Sequence, residues 1–410
     1  MKTTLLLSAL LFTGYLAMAQ SDNPLRVKGF VDTYHAVRLN EPNDFLASRS
    51  RFRGEIEKIS GNSYFFVSLN AMHNRMVPEL TDFTFREAFM EYTGEGWGFK
   101  AGRQIIIWGQ ADGMKITDVI SPMDLSEFLA QDYDDIRMPV NAMTISRFTD
   151  FYELELLCVP LFESYRLPGE GNPWALDLTG GMDNIHIDPA VEPEATLKNM
   201  EYGGKLAFYL SGIDLELTAL HTWNKMPVYR YRTGDVEEDL HIVPEHHRMG
   251  FVGLGFSKSL SAFILRGESA FYFGRKYTQS TEGMGNGLPE SNSINYLLGI
   301  DWYPGNEWMV SGQFSDEWIL DHTNAILNPE HSLISTFALS KKLFRSNLKL
   351  ASFAYFQLNE GAFFLRNSAD YALSDNIHVS TGVDWFHGDS GTFSHYKDNS
   401  QVWVKAKYSF

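Results

Sequence analysis

The chain carries a single cysteine, Cys158, so no intramolecular disulfide can hold the fold and stability must come from packing and hydrogen bonding. Its place on the apolar side of "FYELELLCV" reads as that of a small hydrophobe. Positive charge is also scarce. Against 51 Asp and Glu stand 34 Lys and Arg, a formal net charge of −17, which argues against nucleic acid as a partner. Beyond the first twenty residues no apolar run reaches 18 residues, so no transmembrane helix is available. Catalytic spacing is missing too: His35, His73, His221 and His378 are scattered among strand-like segments without a matched serine, and the chain reads as a non-enzyme. "GEGNPW" at 169–174 and "MGNG" at 284–287 are turn chemistry, not phosphate cradles, because neither follows a strand and opens a helix. His241, His246 and His247 read as loop residues, and "DYDDI" at 132–136 lacks the glycine of a calcium loop. No metal or cofactor is expected.

What the chain does have in quantity is aromatic residues, 14% of the whole, with 30 Phe, 19 Tyr and 9 Trp. Its start, "MKTTLLLSALLFTGYLAMAQ", combines Lys2, an apolar run from Leu5 to Leu16 and Ala17-Met18-Ala19. That is the pattern of a secretory signal peptide over residues 1–19, leaving an exported chain from Gln20 with a net charge of −18. No cysteine follows the cleavage point, which argues against a lipoprotein anchor.

From about residue 26 onward, nearly every stretch of 10–14 residues alternates apolar and polar positions, the period of a strand with two different faces. In "SYFFVSLNA", Phe65, Val67, Leu69 and Ala71 oppose Tyr64, Phe66, Ser68 and Asn70. In "GIDLELTALHTW", Leu215, Leu217 and Ala219 oppose Asp214 and Glu216. A water-filled lumen can hydrate such acids, whereas a sandwich core would have to pair each one. Breaks at 60–62, 94–96, 149–150, 211–212 and 304–306 are tight, and longer polar breaks, such as 109–136, 163–198 and 226–245, largely take turns with them. Short turns at one rim and long loops at the other are the mark of an outer-membrane barrel, and lipid requires that barrel to close. About eighteen segments lie between 26–39 and 399–410, with sixteen as the fallback count. The expected fold is therefore one domain over 20–410, a closed antiparallel transmembrane β-barrel with both ends on the periplasmic side.

Two features carry the functional reading. "ASRSRFRGEIEK" puts Arg49, Arg51 and Arg53 on one face, followed by Glu55 and Glu57. Three arginines turned to lipid would cost about 2–4 kcal/mol each near the midplane, so this face should line the lumen. The break at 109–136 is long enough to be functional. Ser121 is placed to cap a short helix over Pro122–Ala130, and the acids are Asp112, Asp118, Asp124, Glu127, Asp132, Asp134 and Asp135. Either this loop folds inward and narrows the pore, facing the arginines across a transverse field, or it is a solvated acidic cap. In the second case the arginines would pair with lumen acids such as Glu55, Glu87 and Glu91. Arg103 is expected to line the pore as well, while Arg266 and Glu268 read as a lumen pair with no special role. Trp97, Trp108, Trp223, Trp302, Trp308, Trp318, Trp385 and Trp403 suit aromatic girdles.

The segment "AGRQIIIWGQADGMKITDVISPMDLSEF", with Gly102, Arg103, Gln104, Trp108, Gly109, Pro122 and Asp124, and the ending "GVDWFHGDSGTFSHYKDNSQVWVKAKYSF" resemble porin-like outer-membrane proteins of the family called domain of unknown function 1302. The resemblance implies an outer-membrane barrel and names no solute. The ending, with Val402, Val404, Tyr408 and Phe410 on one face, also looks like the recognition signal of the barrel-assembly machinery. The leading expectation is a passive or weakly selective channel for small polar solutes, constricted by the 109–136 loop. Alternatives are a structural or partner-binding barrel, or a transporter of hydrophobic compounds, against which the charged lumen faces speak. Oligomeric state and solute are not encoded in any of these features.

Overall fold

The computed structural model describes residues 25–410 apart from 110, 112, 132, 180 and 234–238. The signal-peptide expectation for 1–19, Asp112, Asp132 and the side chain of Asp134 lie outside the described residues. The first strands are β1 (Arg26–Arg38), β2 (Phe45–Ser60), β3 (Ser63–Asn74), β4 (Asp82–Gly94) and β5 (Trp97–Gln104). After a long connection come β6 (Val140–Phe148), β7 (Tyr152–Val159), β8 (Ile185–Ile187), β9 (Glu201–Leu210) and β10 (Ile213–Trp223). Then follow β11 (Val228–Thr233), β12 (Leu240–Glu245), β13 (Arg248–Leu260), β14 (Phe263–Lys276), β15 (Glu290–Trp302) and β16 (Trp308–Ile319). The last are β17 (His331–Leu343), β18 (Leu348–Gln357), β19 (Ala362–Ala372), β20 (Ile377–His387) and β21 (Gln401–Ser409).

Eighteen of these form one antiparallel sheet, each strand pairing with the next, and β21 closes the ring on β1. All eighteen expected segments are strands. Closure runs from Phe30 opposite Ser409 to Arg38 opposite Gln401, and it is extended by mutual Gly29 and Phe410 backbone bonds of 3.0 and 2.9 Å. The eighteen-stranded sheet therefore has no free edge, as a lipid environment demands.

The alternation reads directly as inside and outside. In β21, Val402, Val404, Tyr408 and Phe410 are exposed on the outer wall, while Gln401 and Trp403 are buried within. Tight turns close one rim. At the β4–β5 turn both Glu95 (φ 51°) and Gly96 (φ 76°) take positive φ, the requirement of a two-residue turn that follows strand twist. Nearly all the long connections gather at the opposite rim, where three short strands form a second sheet, β12 between antiparallel β11 and parallel β8. They fall within 163–198 and 226–245, breaks whose polar composition predicts loops.

The main apolar cluster lies inside the barrel toward the long-connection rim. It combines wall residues such as Phe251, Leu297 and Phe364 with Trp108, Ile116 and Ile120 of the 105–139 segment and Trp174 of the 160–200 connection. Trp108 (1% exposed) and Trp403 (8%) therefore leave the girdle expected for them. By register Trp97, Trp302 and Trp308 ring the outer wall near the tight turns, and Trp223, Trp318 and Trp385 near the long connections.

Candidate functional site

The β2 arginines face inward. Arg49, Arg51 and Arg53 oppose Tyr34, Asp32 and Phe30 of β1, and their guanidinium groups sit over aromatic rings: Arg49 on Tyr34 at 4.4 Å, Arg51 and Arg53 on Phe30 at 4.9 and 5.1 Å. Their acidic partners come chiefly from the long segment. Arg49 pairs with Glu127; Arg51 and Arg53 each reach Asp135 at 3.0 Å; Arg51 also holds Asp32 at 2.6 Å. Among the expected wall acids, Glu55 pairs with Lys28, Glu87 accepts the Ile105 N–H at 3.0 Å, and Glu91 lies opposite Lys100.

The segment crosses the lumen, and its bonds go right round the wall. Asn74 of β3 donates to Glu127 (2.8 Å), Arg86 of β4 to the Asp135 carbonyl (3.4 Å), and the Trp108 indole to Glu155 of β7 (2.7 Å). On β14, Glu268 accepts from Ala111 N–H (2.8 Å) and the Thr117 hydroxyl (3.0 Å), and Tyr272 donates to the Ile116 carbonyl (2.6 Å). Ser315 of β16 donates to the Met114 sulfur (3.2 Å), and Tyr355 of β18 to the Gly113 carbonyl. Arg366 of β19 donates to the Leu129 and Gln131 carbonyls (2.7 and 3.2 Å) while chelating Asp384. One internal pair stiffens the segment, Asp118 with Arg137 (2.9 Å), and a second ties it to the 160–200 connection, Asp124 with Arg166 (2.9 Å). Phe128 stacks on Tyr396 at 4.0 Å, beside Trp174 and Phe386.

Electrostatics follow from this enclosure. Burial works to raise the Asp135 carboxyl, but Arg51, Arg53 and Arg86 outweigh it and hold Asp135 well below the usual carboxylate range. Lys115, on the same segment, is pushed down to about 8, chiefly by burial.

Three sequence expectations are corrected. The helix over Pro122–Ala130 does not form; the only α-helical turn of the segment among the described residues is Tyr133–Ile136. Ser121 spends its hydroxyl accepting the Ile106 N–H at 2.8 Å instead of capping, Asp124 bonds Ser126 locally, and bridges from Met123 to Arg137 and Asp124 to Arg166 draw the chain out. Arg103 does not face the lumen. It shares the outer face of β5 with Trp97 and Phe99 and pairs with Glu163 at 2.5 Å. Arg266 pairs with Asp301 at 2.7 Å, leaving Glu268 to the segment's amides.

Glu155, Glu268, Tyr272, Tyr355 and Arg366 were not singled out as partners of the segment. The inward alternation marks the face of each, but nothing local marks a contact made 47 to 242 residues away. The sequence also left His35 without a serine. On the outer wall its ring shares hydrogen bonds with Ser48 (3.1 Å) and Thr33 (2.9 Å), a cluster that satisfies its own polar atoms on a face turned to lipid.

The family model described as "Protein of unknown function (DUF1302)" matches residues 78–410. No curated protein matches the sequence. Among solved structures, a mutant of the Rh. blastica porin is 11% identical, covering 94% of this chain and 100% of that one with a TM-score of 0.44. Salmonella typhi OmpF, in a complex with daunomycin, is 12% identical, covering 95% and 98%, with a TM-score of 0.47.

Proposed function

Because the chain belongs to the DUF1302 family of proteins of unknown function and folds as a closed barrel, we propose that it is an outer-membrane channel for small polar solutes, constricted by the 105–139 segment. The observation that carries this reading is the path of that segment. It is tied to β2, β3 and β4 on one side and to β14, β16, β18 and β19 on the other, so a solute must pass between it and the wall. Charged inward faces favour polar solutes over hydrophobic ones. The exposed apolar outer wall and aromatic rings fit an outer-membrane site, reached with the residue 1–19 signal. Assembly would use the terminal strand, with Val402, Val404, Tyr408 and Phe410 as the face read by the assembly machinery. Transport of this kind needs no catalytic group and no cofactor.

Single-channel currents in planar bilayers test the proposal, with the full chain beside a deletion of 111–134. Steps in the full chain that grow in the deletion support a constricted pore. Silence in the full chain with steps in the deletion supports a second reading, a barrel closed at rest, which the Phe128–Tyr396 packing favours. Silence from both, in protein whose folding is verified by heat-modifiable gel mobility, overturns the channel.

A further inference from the structure

A cavity of about 160 Å³ lies between the 105–139 segment and the wall at the long-connection rim. The segment contributes Lys115, the wall contributes Arg275, Asn295 and Glu317, and the connection after β10 contributes Asn224 and Lys225. Two of the three cations are matched. Lys225 sits on Glu201 at 2.5 Å, both side chains nearly sealed from solvent, and Arg275 on Glu317 at 2.6 Å.

Lys115 is different. Its ammonium donates to the Ser121 carbonyl at 2.7 Å and lies 5.5 Å from the Tyr165 ring centre, and among the described residues it forms no ion pair. Asp118, three residues further along the chain, is committed to Arg137. An ammonium has three N–H donors, so this one keeps unused capacity inside a partly closed site. Around it the amides add directional donors. Asn224 Oδ1 accepts the Met226 N–H at 3.2 Å and Asn295 Oδ1 accepts the Ser293 hydroxyl at 3.2 Å, and neither Nδ2 has an acceptor among the described residues.

Surplus charge and surplus donors in one enclosure are complementary to an anion. The rest of the lining, Val119, Met226 and Met249 with the Tyr272 ring, is apolar, which suits an organic acid with a carbon skeleton better than an inorganic ion. We propose that this cavity binds a small carboxylate, with Lys115 Nζ supplying the charge and the Nδ2 groups of Asn224 and Asn295 the direction. It gives the channel proposed above a solute class and rests on that reading for its role, although binding itself needs no conduction. Because Lys115 rides on the crossing segment and Asn295 on the wall, a bound carboxylate joins the two.

Saturation-transfer NMR on the detergent-solubilised full chain tests this, with sodium succinate as probe and choline and glycerol as comparisons. Saturable succinate binding is expected, without choline or glycerol binding. Lys115→Met should weaken it at least about tenfold, the loss typical of truncating one member of an enclosed charge pair. Asn295→Leu, which leaves the crossing segment untouched, should weaken it too. Lys198→Met, removing an exposed rim lysine, should not. No saturable signal for wild type, equal binding of choline, or an affinity indifferent to both Lys115→Met and Asn295→Leu overturns the site. Succinate binding that persists in a barrel silent in bilayers would remove the channel and leave the site standing.

Discussion

Asp135 is the residue on which the crossing segment is most directly fastened, because one carboxylate serves both Arg51 and Arg53 at 3.0 Å. Arg51 retains Asp32 if Asp135 is lost, whereas Arg53 keeps, among the described residues, no acid but only the Asn70 side chain at 2.8 Å and the Phe30 ring. Asp135→Asn should therefore cost the docked state about 3–5 kcal/mol, the range for breaking an enclosed pair by removing one member. Larger or more frequent single-channel steps than in wild type are the expected result. The pH profile carries its own sign. A carboxyl lowered in the folded state stabilises docking fully above its ordinary value near 3.9 and loses that contribution only as pH falls through the lower folded value. Conductance should thus stay flat from pH 7 down to about 4. Lys115 acts in the opposite sense. Its enclosed charge, facing Asp118, Arg137 and Lys225, costs stability below about 8. Above that value the docked lysine is neutral while a released one stays charged to about 10.4, so docking tightens as the medium turns alkaline. Wild-type steps that grow between pH 6 and 4, or between 8 and 10, would assign the fastening to other groups.

The strand that closes the ring brings its own fixing device. The Phe410 ring lies over Gly29 and stacks on Phe52 at 6.2 Å, filling space that only a glycine leaves open. A Cβ at Gly29 would stand 2.4 Å from the Arg53 carbonyl oxygen and 2.8 Å from the Phe410 ring. Gly29→Val and Phe410→Ala should both reduce the fraction of chain that runs as a compact, heat-modifiable barrel, the first by a clash and the second by an emptied groove. Unchanged mobility in both would mean that the β1–β21 backbone ladder suffices alone. This element was legible in sequence because one face of "QVWVKAKYSF" is apolar throughout while the other is polar but for Trp403. The other seventeen barrel strands were legible for the same reason, even where their ends shifted by a few residues. Arg103 shows a face misjudged although the signal was present: Trp97, Phe99 and Ala101 precede it at alternate positions on the outer face. The β8–β11–β12 sheet was not legible, since strands of 3 to 6 residues hold too few alternations to stand out from polar loops. The inward course of the long acidic break was legible as one of two readings, but its fixing partners were not, since they lie far apart in sequence and meet only once the ring is closed.

At the scale of the whole molecule, the inward faces toward the tight-turn rim divide into two unlike walls. From β2 to β10 the register turns Glu55, Glu57, Glu91, Glu153, Glu155, Asp214 and Glu216 inward, with Lys100 and Lys205 among them. From β17 to β21 it turns Lys342, Lys349, Lys405 and Lys407 inward, and the last three line one cavity of about 420 Å³ with Asp370 and His378. Acids facing lysines across a lumen create a transverse field, and a low-dielectric wall focuses it. The arginine ladder facing an acidic loop is the source of such a field that the sequence suggests, as one of two readings. In the folded chain those charges largely neutralise one another at close range; Glu55 and Glu57 pair with Lys28 and Lys405 lies 3.8 Å from Asp32, and the field expected to survive these contacts is the wall-to-wall separation of sign. The consequence is a directional effect of mutation. In the 111–134 deletion, where the lumen is open, Lys349→Gln with Lys405→Gln and Lys407→Gln should move the reversal potential in a salt gradient toward cation selectivity. Glu55→Gln with Glu153→Gln and Glu216→Gln should move it toward anion selectivity by a comparable amount, and both shifts should shrink as ionic strength rises and the screening length falls below about 10 Å. If both triple variants moved the potential the same way, or if neither responded to salt, the ions would be passing where the two walls do not reach, and the field would have no part in sorting them.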